Sequence, residues 1–134
     1  MICDEGVMMP RRARMGDAGY DIYAPHRLVL NNRWQTVDLG FRFEDGDIPE
    51  GYVALVVPRS STGAKHGLHI RNTIGIIDSN YRENVLATLS VDGQEMIYEK
   101  DDRILQFVLV PFGTMPWEIP PQGKREGGYG STGV

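Results

Sequence analysis

Val37-Asp38-Leu39-Gly40-Phe41-Arg42-Phe43 alternates an apolar side chain with a polar or small one at every step. A two-residue period sends successive side chains to opposite faces of an extended backbone. The stretch therefore reads as a half-buried β-strand and not as a helix, whose apolar positions recur every three or four residues. Val85, Ala87, Leu89 and Val91 repeat the pattern. Two further runs, Tyr52 to Val57 and Ile104 to Val110, the latter broken only by Gln106, are apolar on both faces and read as strands covered on two sides. Asn31-Asn32, Asp45-Gly46, Asp92-Gly93 and Asp101-Asp102 fall between the runs, and these residue types tolerate the dihedral angles of tight turns. The expected class is all-β, a sandwich or barrel of short strands. One short helix is expected at Ser60 to Lys65, with Ser60 or Ser61 as its N-cap.

Composition agrees. A chain of 134 residues with 41% hydrophobic content fills one core and not two. Its 16 glycines and 8 prolines are too many for a helical bundle. A net charge of -4 gives no sequence-independent grip on nucleic acid or an anionic membrane, so neither is an expected partner, and an anionic ligand must be held by local groups. The single Cys3 excludes an internal disulfide and a cysteine-rich zinc site, and fits a reducing compartment. The N-terminus carries acidic residues early and has no apolar leader or membrane segment, so a soluble, cytoplasmic protein is expected. Phosphate-loop, dinucleotide, zinc-protease and serine-hydrolase motifs are all missing. His66 and His69 have no third ligand nearby and read as ordinary loop or edge histidines.

Four segments carry chemistry. In AGYDIYA (residues 18–24), Asp21 follows a glycine in a strand-like stretch, where a carboxylate can hold a hydrated divalent metal. In PRSSTG (58–63), an apolar strand opens into Arg59 and three hydroxyls, the ingredients of an anion site. In GIIDSNYR (75–82), a buried-looking strand delivers Asp78 into a turn three residues before Tyr81, a position from which a carboxylate can act as general base. The last fifteen residues, 120–134, hold almost nothing apolar and read as a mobile arm. Tyr129, Lys124, Arg125 and the glycines suit that arm to stacking on a base and wrapping phosphates.

In this order and in so short a chain, the segments resemble the homotrimeric deoxyuridine triphosphatase (dUTPase) family. AGYDIYA is similar to its first motif, PRSSTG to the second, GIIDSNYR to the third, DRILQ (102–106) to the fourth and GGYGSTG (127–133) to the fifth. The resemblance implies a β jelly-roll domain over residues 1–119 with an arm over 120–134. It implies a homotrimer with shared active sites, Mg2+, and hydrolysis of dUTP to dUMP and pyrophosphate, which supplies dUMP for thymidylate synthesis and keeps uracil out of DNA. Position by position, it implies that Asp78 activates the attacking water, that Gln106 and Arg125 serve the phosphates, and that Asp21 meets the metal through water. It places Arg59, Ser60 and Ser61 on the phosphate side, with Lys124 competing with Arg125 for the γ-phosphate. Asn72, Gly75 and Ile77 fall on a uracil-reading hairpin, Tyr81 lies under the deoxyribose, and Tyr129, Gly130 and Ser131 form the closing flap. Tyr129 replaces the usual phenylalanine, and Glu83 stands where the family has a glycine. The rival resemblance, to dCTP deaminase, requires a glutamate where this chain has Thr88. A binding protein of the same shape would not need the set Asp21, Asp78, Tyr81 and Gln106.

Overall fold

The computed structural model describes residues 1–123, Arg125 and Tyr129. Its strands are β1 (Ile2–Cys3), β2 (Tyr20–Tyr23), β3 (Leu28–Leu30), β4 (Gln35–Asp38), β5 (Phe41–Arg42), β6 (Tyr52–Pro58), β7 (Leu68–Ile70), β8 (Gly75–Ile77), β9 (Leu86–Val91), β10 (Met96–Tyr98) and β11 (Arg103–Pro111). Among the described residues every strand pairing is antiparallel. A four-stranded sheet in the order β2-β11-β6-β8 and a three-stranded sheet in the order β4-β9-β7 carry most of the pairing. Two short ribbons, β1-β5 and β10-β3, complete it. Ile22, Leu30, Leu39, Phe41, Leu68, Leu89, Ile104 and Leu105 are fully buried in one core. Aromatic rings knit it: Tyr20 stacks on Phe107 at 4.9 Å between centroids, and Phe43 meets Phe107 edge-on at 5.3 Å.

The register of β11 fixes the layers. Phe107 pairs with Tyr20 on one side and Val56 on the other, and all three turn toward the core; Gln106 pairs with Asp21 and Val57, which occupy the opposite face. Beyond β6, Val56 pairs with Gly75 and Ala54 with Ile77, so these share the core face, while Leu55 and Ile76 pair on the outer one.

Four local expectations need correction. Val37 to Phe43 is two strands and not one. The chain breaks at Gly40, whose φ is +79° and whose N–H is taken by the Asp38 carboxylate at 2.8 Å, although Val37, Leu39, Phe41 and Phe43 are all buried. The apolar runs of β6 and β11 are covered on one face only within the chain: Val53, Leu55, Val57, Val108 and Val110 are half-buried. The strand before Asp78 is likewise open, with Ile76 66% exposed. The helical segment is a π-helical turn, Ser61–Lys65, which Ser60 does not cap because its own φ and ψ are already helical.

Thr62, in that turn, is 2% exposed, and its hydroxyl donates to the Ile104 carbonyl at 2.7 Å and accepts the Arg59 N–H at 3.2 Å. This side chain anchors the turn to β11. Replacing it by valine keeps the volume and leaves both backbone groups without their partner. Thr62→Val is therefore expected to lower stability by about 1–3 kcal/mol in urea unfolding, with Thr62→Ser close to wild type. A valine variant as stable as wild type would show that the anchor carries no energy.

Candidate active site

The residues singled out in the sequence form two groups. The first lines a cavity of about 630 Å³ at the β8 edge. Its floor is apolar, from Val56 of β6, Ile70 of β7, and Leu86 and Ala87 of β9. Its rim is the connection from β7 to β8, with Asn72, Gly75 and Ile77, followed by Asp78 and Tyr81; the expected hairpin is instead a turn between two sheets, since β7 pairs with β9 and β8 with β6. The connection turns tightly: the Thr73 N–H bonds the Ile70 carbonyl at 2.9 Å, and Thr73 itself sits at a φ of 69°. This strained position is one that a β-branched residue rarely takes. Gly75 is closely packed against β6, and a Cβ there would lie 3.1 Å from the Val56 Cβ, so Val56 would have to give way by a few tenths of an ångström.

Asp78 and Tyr81 are joined by a turn in which the Tyr81 N–H bonds the Asp78 carbonyl at 3.1 Å. The Tyr81 ring is 7% exposed, and its hydroxyl donates to the Asn84 carbonyl at 3.1 Å. Burial pushes its pKa up, helped by Glu83 and opposed by Arg125. Glu83 does not adopt a positive φ, so the turn accommodates it in place of glycine.

Arg125 and Tyr129 reach into the same cavity. The Arg125 guanidinium pairs with the Asp78 carboxylate, donates to Asn80 Oδ1 at 2.8 Å and lies 5.5 Å over the Tyr81 ring. The Tyr129 hydroxyl meets Thr88 Oγ1 at 2.9 Å, and Thr88 in turn meets Thr36 Oγ1 at 2.9 Å. Lys124, Gly130 and Ser131 lie outside the described residues.

The second group sits where β6 ends. Asp21, 8% exposed, accepts from Arg59 Nε at 3.1 Å and has Arg103 Nη1 at 3.7 Å. Arg59 Nη1 also donates to Ser61 Oγ at 3.0 Å, and Gln106 Nε2 donates to the Pro58 carbonyl at 3.3 Å. Ser60 is exposed at the start of the turn. None of these residues lines the cavity. Asp21 and Gln106 lie on the outer face of the four-stranded sheet, whereas Val56, Gly75 and Ile77 lie on its core face, so one chain presents the two groups on opposite sides of one sheet.

Among the described residues no group of three or more His, Cys, Asp or Glu side chains is placed to hold a metal ion. Asp21 is already shared by two guanidiniums, which weakens it as a direct ligand. That donor set fits a magnesium ion that keeps its waters and takes phosphate oxygens, and not an ion caged by protein. His66 bonds the Tyr98 hydroxyl at 3.1 Å and His69 pairs with Asp92 at 2.8 Å.

The family model for dUTPase matches residues 5–133. The chain belongs to the dUTPase family. It is thus of the hydrolase class, and its sandwich is the jelly roll of that family. The deoxyuridine 5'-triphosphate nucleotidohydrolase of Cutibacterium acnes is 39% identical over 133 residues, spanning 94% of this chain and 86% of the relative. That of Anaplasma marginale is 35% identical, spanning 96% and 91%. Among solved structures, the Staphylococcus bacteriophage 80alpha dUTPase with dUPNHPP superposes with a TM-score of 0.71 at 26% identity, covering 100% of this chain and 96% of the other. A dUTPase of phage phi11 of S. aureus, with a TM-score of 0.71 and 25% identity over 91% of this chain and 95% of that one, coordinates a structural Mg(II) ion.

Sequence reading found the polar rim but not the cavity floor. Val56, Ile70, Leu86 and Ala87 give no signal beyond strand alternation. Arg103, Asn80 and Thr88 carry no local sequence signal for the contacts they make with Asp21, Arg125 and Tyr129.

The raised pKa of Tyr81 has a measurable consequence. A phenol that ionises later folded than unfolded keeps a proton that the unfolded chain releases. Its contribution is complete below the ordinary value of 10.0 and is lost as pH rises past it. The alkaline fall in unfolding free energy should be shallower in Tyr81→Phe than in wild type; parallel falls would show that the ring titrates as in water.

Proposed function

We propose that this chain hydrolyses dUTP to dUMP and pyrophosphate, in sites completed between subunits of a homotrimer. The observation that carries the reading is the placement of Asp78 and Tyr81 at the rim of an apolar-floored cavity, with Gln106 on the other face of the sheet and Arg59, Ser60 and Ser61 where β6 ends, Arg59 bonded to Asp21 on that outer face. A nucleotide needs both: a slot for base and sugar, and donors for a triphosphate. Neighbouring copies bring one chain's slot to another chain's donors. The half-buried outer face of Val53, Leu55, Val57, Val108 and Val110, with Ile76 open beside it, supports a second copy as its cover.

In this reading uracil enters between the Asn72–Ile77 segment and the floor residues. The segment's backbone groups read its edge, so a base with reversed donors and acceptors leaves them unpaired. The deoxyribose packs on Tyr81, which leaves no room for a 2′-hydroxyl. Asp78 accepts a proton from a water aligned with the α-phosphorus; the new P–O bond forms as the bond to pyrophosphate breaks. Arg59, Ser60, Ser61 and Gln106 bind the phosphate oxygens. Asp21 would hold a magnesium ion through its waters, and that ion would supply charge neutralisation for the departing pyrophosphate.

Arg125 acts from the arm, residues 120–134, which is a separate element from the body, residues 1–119. Its guanidinium holds the Asp78 carboxylate here. A triphosphate carries more negative charge, so nucleotide draws the guanidinium off Asp78 and frees the base. Lys124, Gly130, Ser131 and Tyr129 close with it, Tyr129 stacking on uracil and excluding bulk water. Cellular roles follow from the products: dUMP for thymidylate synthesis and less uracil available to DNA.

Incubation with dUTP and magnesium should yield dUMP and pyrophosphate in equal amounts. Asp78→Asn should retain nucleotide affinity within a few-fold and lose at least roughly a thousandfold in kcat, the scale of removing a positioned general base. Formation of dUDP and phosphate would refute the bond assignment, and a tenth of wild-type kcat in the variant would remove Asp78 from its role.

A further inference from the structure

The glycines of this chain divide by what they are for. Gly16, Gly46, Gly51 and Gly93 have positive φ and open space where a side chain would stand, so backbone conformation alone demands them. Gly19, just before β2, has no positive φ. What it has is a neighbour: a Cβ at Gly19 would lie 2.1 Å from Gln106 Oε1 and 3.1 Å from Gln106 Cδ. Real Cβ atoms do not approach oxygen so closely. The carboxamide of Gln106 lies against the bare Cα of Gly19, with its Nε2 donating to the Pro58 carbonyl at 3.3 Å. Gln106 sits on the outer face of β11 opposite Asp21, two residues from Gly19 along the chain.

We propose that Gly19 is a positioning residue for the reaction. The missing side chain creates the slot in which Gln106 is held beside Pro58, next to Arg59, and so aims Gln106 at the phosphates. The inference rests on the reading of Gln106 as a phosphate-side residue. A methyl group at position 19 takes the place of Oε1. Because Oε1 is the far end of a flexible side chain, the cheapest response is for Gln106 to swing out, losing the Pro58 contact and its aim, while the sheet stays intact.

The geometry also states how the effect is removed. Truncating Gln106 to alanine deletes Oε1 and Cδ and leaves only Gln106 Cβ, 3.6 Å from the Gly19 Cβ site, an ordinary contact. Gly19→Ala should therefore matter only while Gln106 is present.

The test is a double-mutant cycle on the intact enzyme with dUTP and magnesium, with melting temperature measured alongside. Gly19→Ala and Gln106→Ala should each lower kcat by roughly tenfold or more, by similar factors and with little change in KM. Gly19→Ala/Gln106→Ala should fall no further than Gln106→Ala alone, within about twofold. All three should melt within a few degrees of wild type. Wild-type kcat in Gly19→Ala beside an impaired Gln106→Ala would overturn the positioning role, as would multiplying losses in the double variant. Wild-type kcat in Gln106→Ala would instead remove the reading of Gln106 on which the inference stands. Should Gly19→Ala fail to fold, the double variant decides: folding restored by removing the Gln106 amide supports the slot, and continued misfolding refutes it.

Discussion

Strand β11 bonds to β2 on one side and β6 on the other, and past the irregularity between Arg103 and Leu105, where Ile104 and Leu105 are both buried, its side chains alternate between the two faces of the sheet. That alternation organises the molecule. Leu105 and Phe107 enter the core, where Phe107 gathers Tyr20, Phe41 and Phe43 around it. Gln106, between them, is forced outward beside Asp21. A slip of one residue would bury Gln106 and expose Phe107, so the packing of the core and the placement of the polar group are a single constraint. The same constraint carries through β6 to β8 and sets Gly75 and Ile77 on the side of the cavity. One sheet thus separates the two half-sites of the proposed reaction by its own thickness.

Electrostatics follow from this layout. The outer-face group is rich in guanidinium, with Arg59 and Arg103 around one buried carboxylate, and so keeps a net positive charge suited to phosphates within a chain whose overall charge is negative. The cavity side is the reverse. Its carboxylate, Asp78, stands over an apolar floor and is matched here by the Arg125 guanidinium. In each group a guanidinium and a carboxylate are paired, and the proposed reaction has the nucleotide exchange those partners for phosphate and water.

Much of this was legible in the sequence because strands and turns write themselves in alternation and in residue type. Asp45-Gly46 and Asp92-Gly93 are turns with glycine at positive φ, as their composition requires, and β9 covers nearly the whole run expected of it. Alternation could not disclose the break at Gly40, since Leu39 and Phe41 stay buried on either side of it. Nor could it disclose that β6 and β11 are open on one face, because an apolar run does not say whether its cover belongs to the same chain. Asp78 and Tyr81 were recognisable by their motif. Thr88 and Asn80 were not, because their partners, Tyr129 and Arg125, lie some forty residues away in sequence and meet them only through the fold.

The central claim is that one chain carries two half-sites that meet only across a subunit boundary, and subunit mixing tests it most directly. Asp78→Ala damages the cavity half and Arg59→Ala the phosphate half, so each variant alone should be nearly inactive. Unfolded together in equal amounts and refolded, they should regain about a quarter of wild-type kcat, the share of sites that receive an intact half from each parent in random trimers. A refolded mixture no more active than its separate parents would mean that each site is complete within one chain, and would contradict the account.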